Sequence, residues 1–139
     1  MEKGLFSVYY TMKKQKKIRN IKYKDVINLD RTIARFILPR LKFFKKKTYT
    51  YPIGFTIEEW KSTIDKIILA FELILNDHEP DFGNLKYHTE KANNGYWKMV
   101  EDPNSTFDRE AYEKRLNDKD IKIKEGLKLF VDNFQNLWF

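Results

Sequence analysis

An all-α fold, a compact bundle of three major helices over about residues 29–46, 56–76 and 107–137, is what this 139-residue sequence predicts. Three observations predict it. Apolar residues recur at helical spacing in three separate blocks. The middle block opens on a capping box, Thr56-Ile57-Glu58-Glu59. Hydrophobic residues make up 42% of the chain and cysteine is absent, so a core rather than a disulfide framework must hold the fold. The length suits one domain, 1–139, divided into a basic N-terminal segment (1–25), the helical blocks and an irregular insert (77–106).

The first residues, LFSVYYTM (5–12), are apolar, aromatic and β-favouring, and can form a short strand or a first helical turn. Residues 13–24, KKQKKIRNIKYK, are the densest basic run; Ile18, Ile21 and Tyr23 interrupt it and suggest a segment that touches the core. Asn28 or Asp30 can cap the first major helix. Leu29, Ile33, Phe36, Ile37, Leu41 and Phe44 form its apolar stripe, and Lys45, Lys46 and Lys47 suit its C-terminus, where the helix dipole favours cations. Pro39 lies inside the pattern and is expected to kink the helix or split it.

A turn with Pro52 and Gly54 leads to the second helix. Phe55 precedes the Thr56 cap and Trp60 sits four residues beyond it, the spacing of a hydrophobic staple. Ile57, Trp60, Ile64, Ile67, Ile68, Phe71, Ile74 and Leu75 make the wide apolar face of a core helix. Pro80, Gly83, Asn93-Asn94-Gly95 and Pro103 punctuate residues 77–106; within them Leu85–Ala92 reads as a short helix and Tyr96–Val100 as a stretch pinned to the core. Thr106 or Asp108 can cap the last helical region, which Asn117-Asp118 can break. Ile123, Leu127, Phe130, Phe134 and Leu137 alternate four and three residues apart, a bundle-type seam, and Trp138 and Phe139 are expected to dock.

Charge is the strongest functional signal. Residues 1–50 carry 15 Lys/Arg against Glu2, Asp25 and Asp30, a balance of +12, whereas residues 51–139 balance at −5. Such a segment faces a polyanion or an acidic partner, unless it is the solvated surface of a lysine-rich chain. The candidate binding residues are Lys13, Lys14, Lys16, Lys17, Arg19, Lys22 and Lys24, followed by Arg40, Lys42, Lys45, Lys46 and Lys47. Lysine and arginine neutralise phosphates, and the interleaved Tyr9, Tyr10, Tyr23, Phe43, Tyr49 and Tyr51 can stack on unpaired bases or serve the core edge.

Catalytic constellations are missing. Cysteine catalysis and thiolate metal sites are excluded. There is no GxSxG elbow and no glycine-rich phosphate loop; the five glycines stand singly. His78 between Asp77 and Glu79, with Asp81 and His88 nearby, is the one cluster of metal-ligand types, but it matches neither an HExxH helix nor an EF-hand loop and reads as a polar surface loop. The expectation is a protein that is not an enzyme and takes no cofactor. No signal peptide and no run of roughly 20 apolar residues is visible, so a cytoplasmic, membrane-free protein is expected.

Three stretches carry a resemblance: ILPRLKFFKK (37–46), YPIGFTIEEWKSTIDKIILAFE (51–72) and KEGLKLFVDNFQNLWF (124–139). Together they resemble a family of small proteins encoded by tailed bacteriophages and prophages, with an LPRLKxFK helix, a YPxxxTxEEW helix ending in AFE, and a terminal EGLxLF helix. Asn133 departs from that pattern, which often has Tyr there, and neither the basic N-terminus nor 77–106 is covered. The resemblance implies a phage accessory protein acting in the bacterial host cytoplasm and carries no catalytic residues. It is compatible with an anti-CRISPR role, in which the chain binds a host CRISPR effector, such as an RNA-guided RNase, or its guide RNA. A nucleic-acid-binding accessory protein for phage replication or transcription, and a self-associating assembly module, are the competing readings.

Overall fold

The computed structural model describes residues 21–76 and 78–138. The expected N-terminal strand, Ile18 and the cations Lys13, Lys14, Lys16, Lys17 and Arg19 lie outside the described residues. The chain is mainly helical, but the all-α expectation needs correcting: a β-hairpin separates the second and third long helices. The elements are α1 (Tyr23–Val26), α2 (Leu29–Lys47), α3 (Ile57–Leu75), β1 (Tyr87–Lys91), β2 (Trp97–Glu101), α4 (Arg109–Asp132) and a terminal 3-10 turn (Phe134–Asn136).

Helix α3 is the centre of the fold. Its capping box is reciprocal: the Glu59 amide donates to the Thr56 hydroxyl at 3.2 Å, and the Thr56 amide donates to the Glu59 carboxylate at 2.8 Å. Phe55 meets Trp60 edge to face at 5.6 Å, completing the staple. Trp60, Ile64, Ile67, Ile68, Ala70 and Phe71 are all buried. Each large one contributes roughly 1.5–3 kcal/mol of transfer free energy before side-chain entropy is subtracted. The amphipathic pattern is therefore used fully here.

The other long helices each pack on α3 and make no close backbone contact with each other. On α2 the core receives Ala34 and Leu41, while Leu29, Ile33 and Phe36 of the expected stripe stay 51%, 45% and 59% exposed. The helix meets α3 through a face turned away from the middle of its stripe. Pro39 does not split α2, which runs unbroken from Leu29 to Lys47. Pro39 lies on the exposed side, so the unpaired Arg35 carbonyl has water available. One turn on, the Arg40 guanidinium donates to the Phe36 carbonyl at 2.6 Å.

Helix α4 is also continuous: Asn117 and Asp118 do not break it. The Asp108 carboxylate accepts from the Ala111 amide at 2.9 Å, settling the N-cap in favour of Asp108 over Thr106. Gly126 is the buried residue of α4, set against Ala70 and the Lys66 carbonyl of α3. Asn133 is buried where the helix ends, and its side-chain amide donates to the Leu129 carbonyl at 3.0 Å. The position that departs from the phage-like pattern thus works as a C-terminal cap. Trp138 is not docked as expected but 66% exposed. Ile21 and Tyr23, expected at the core, are likewise exposed.

The segment 77–106 is the largest correction. Leu85–Ala92 is no helix: Tyr87–Lys91 pairs antiparallel with Trp97–Glu101, with Thr89 opposite Met99. Backbone bonds extend the ladder downward, from the Asp102 amide to the Lys86 carbonyl and from the Asp108 amide to the Phe82 carbonyl. At the tip the Ala92 amide donates to the Tyr96 carbonyl, and Gly95 takes a φ of +82°, open to glycine without strain. Tyr96–Val100 is not pinned to the core; Tyr96, Trp97 and Met99 are 70–75% exposed. At its base Phe82 and Phe107 pack on Tyr112 of α4, anchoring the hairpin to that helix.

Candidate functional site

The cations predicted from sequence divide by what they touch. Lys42 reaches Glu72 at 2.6 Å and Lys45 reaches Asp65 at 2.5 Å, so both tie α2 to α3. They are interhelical staples first, and their charge is answered within the chain. Such exposed pairs are worth about 0–1 kcal/mol each. Lys66 and Glu125 form the matching staple between α3 and α4 at 2.8 Å. Arg31, absent from the sequence candidates, donates to the Ile74 and Leu75 carbonyls at 3.2 Å each. Those carbonyls end α3, whose last turn has no basic residue of its own, so Arg31 supplies the cation the dipole favours.

The remaining described candidates keep their charge for solvent. Lys22 caps the short exposed helix α1 and Lys24 lies within it. Lys46 and Lys47 close α2, with the Lys47 ammonium 5.8 Å from the Phe43 ring centre. Arg40 stacks on Phe36 at 3.7 Å, and its guanidinium spends one donor on the Phe36 carbonyl. Two aromatic–cation pairs, four residues apart within each pair, thus run along one exposed face of α2.

That face borders an open groove of about 830 Å³. Ile33, Phe36 and Phe43 of α2 form one wall, and Phe130, Phe134 and Leu137 from the end of the chain form the other. It exists because the outer helices do not close on each other. The far wall is stiffened from the core: Phe71 meets Phe130 edge to face at 5.3 Å, and Phe130 meets Phe134 in the same way at 5.5 Å. Among the described residues of the lining Arg40 is the one charged side chain. An apolar trough with a single guanidinium on its lip is a binding surface in chemical terms; it offers no acid–base pair.

A second exposed apolar face lies on the hairpin, where Tyr87, Met99 and Trp97 share one side of the ladder. The groove and the hairpin face were both missed from sequence. Phe36 and Phe134 read from their spacing as core but are 59% and 63% exposed, whereas Phe130 and Leu137 of the same seam do pack against the core; the Asn94-Gly95 turn is the one signal that points to the hairpin.

The metal-ligand types are dispersed. His88 pairs with Glu90 at 2.8 Å, Glu79 with Lys119 at 2.9 Å, and Asp81 accepts the Gly83 amide. Glu79 and Glu90 are held below the usual carboxylate range chiefly by those side-chain bonds. Asp77 lies outside the described residues, and among the described ones no group of three or more such side chains converges. No described helix is long and apolar enough to cross a membrane. No protein family matches the chain, and neither a curated protein nor a solved structure is similar to it, so function is argued from the surface itself.

Proposed function

We propose that the chain is a non-enzymatic binding protein that engages a host nucleoprotein through its basic N-terminal third, and that its resemblance to phage proteins makes an inhibitor of a defence complex, such as a CRISPR RNA-guided effector, the reading to test. One observation carries the binding part. The N-terminal third has a balance of +12, and along its exposed α2 face Arg40 and Lys47 stand on Phe36 and Phe43 with no carboxylate partner among the described residues, whereas Lys42 and Lys45 are neutralised against α3. Arginine and aromatic side chains held together and exposed are what binding hot spots are made of. The non-enzymatic part is supported by the sequence, which lacks a nucleophile elbow, a thiol and a phosphate loop.

The test is a titration against labelled single-stranded RNA and duplex DNA across a salt series, with plaque assays in hosts carrying candidate defence systems. Affinity that falls steeply with salt, is abolished by charge reversal at Lys13, Lys14, Lys16 and Lys17, and accompanies rescue of phage growth supports the proposal. Tight binding without rescue in any host favours the accessory-protein reading. No binding to either nucleic acid and no rescue overturns it.

A further inference from the structure

We infer that the groove between α2 and the end of the chain is a docking site for an acidic amphipathic helix of a partner protein. The inference rests on the binding-protein reading above and names the chemistry of the partner. The occupant must satisfy two features together, an apolar trough and a cationic border. Leu29, Ile33, Phe36 and Phe43 are between 45% and 59% exposed, a large apolar surface to leave in water. Helix α2 carries seven Lys/Arg against Asp30 alone, with Arg40 in the lining of the trough and Lys46 and Lys47 exposed at the end of the same helix.

Charge decides among occupants. A second copy docking by a two-fold would set α2, with its seven Lys/Arg against one Asp, beside another helix of the same net charge. Nucleic acid would meet Arg40 as the one described cation inside the trough and leave its apolar walls without a use. A helix with one apolar face can fill the walls with side chains at i, i+3, i+4 and i+7. Glutamates or aspartates flanking that face then meet Arg40, four of whose five guanidinium donors remain available, and the lysines that end α2. The length also fits: the part of α2 that lines the trough, Thr32 to Phe44, spans about 20 Å, room for three to four turns of a partner helix alongside it.

The test uses the full chain and two synthetic 18-residue peptides with the same Leu/Phe face, one with Glu and one with Lys at the flanking positions. Fluorescence anisotropy should show the acidic peptide binding and the basic twin at least ~10-fold weaker. Phe36→Ala and Arg40→Glu should each weaken the acidic peptide about 10-fold while the chain still melts cooperatively above the assay temperature. Benzoylphenylalanine at position 43 should cross-link to the acidic peptide. Equal binding of the two peptides, or binding of neither, overturns the inference. So does a cross-link that forms a dimer of the chain or returns to its own residues, since either names another occupant. The charge-reversed Lys13, Lys14, Lys16, Lys17 variant separates the two readings. If it loses nucleic acid yet keeps the peptide, both stand; if peptide binding is absent while salt-dependent nucleic-acid binding persists, the groove inference alone falls.

Discussion

Replacing Gly126 by alanine sets two effects of opposite sign against each other. In a helix, alanine is favoured over glycine by about 1 kcal/mol, so an unconstrained Gly126→Ala would stabilise the protein. Gly126, however, is where α4 crosses α3. A Cβ placed on it would collide with the Ala70 Cβ and stand 2.5 Å from the Lys66 carbonyl oxygen, backbone that cannot swing aside. Ordinary contact begins at 3.4 Å, so the helices must part by about 1 Å. A gap of that size forfeits a quarter to a half of the dispersion energy along the contact, and overpacking of this kind costs about 1–3 kcal/mol net. For a chain of this length the melting temperature should fall by roughly 3–10 °C. Differential scanning calorimetry of parent and variant checks it. An unchanged or raised melting temperature would mean that propensity wins and that α3 and α4 are not in close contact at Gly126.

Other outcomes follow from the same contacts. Ile64→Ala should cost about 2–5 kcal/mol because Ile64 is fully buried, whereas Phe36→Ala should cost well under half of that, its ring being 59% exposed; urea unfolding compares the two. Arg31→Ala should lower stability by about 1–2 kcal/mol by uncovering the Ile74 and Leu75 carbonyls, and hydrogen exchange should show the last turn of α3 fraying. The Glu59 carboxyl is held below its ordinary value of 4.5, first by the Thr56 backbone amide and then by the Thr56 hydroxyl. Its contribution is therefore present above pH 4.5 and lost as pH falls through the lowered value, so thermal melts of Glu59→Gln should depend less on acid than those of the parent. Thr56→Ala should remove about 1 kcal/mol at neutral pH by deleting the other half of the box.

The legible parts of the fold were those in which neighbours along the chain carry the whole signal. The Thr56–Glu59 box, the Phe55–Trp60 staple and the buried face of α3 need only positions within one helix, and they stand where periodicity put them. The hairpin was misread because its pairs, such as Lys91 with Trp97 or Glu90 with Lys98, join residues whose mixed polarity gives no alternation. Its ladder is made by backbone groups, to which side-chain patterns are blind. Among the candidate site residues, Lys42 and Lys46 look alike in sequence; which one meets a carboxylate depends on where α3 lies.

By itself, then, the sequence determined that there are three long helices, where the central one starts, and that the N-terminal third is cationic. These follow from local spacing, capping chemistry and charge, which hold in any tertiary arrangement. Tertiary structure decided which side of each stripe is used. Because α2 and α4 each pack on α3 instead of closing on each other, half of the α2 stripe is left exposed beside a groove, Lys42 and Lys45 become staples, and Arg40 stands at the groove's lip. A helical repeat specifies an apolar face; how much of that face a neighbour covers depends on where the neighbour packs.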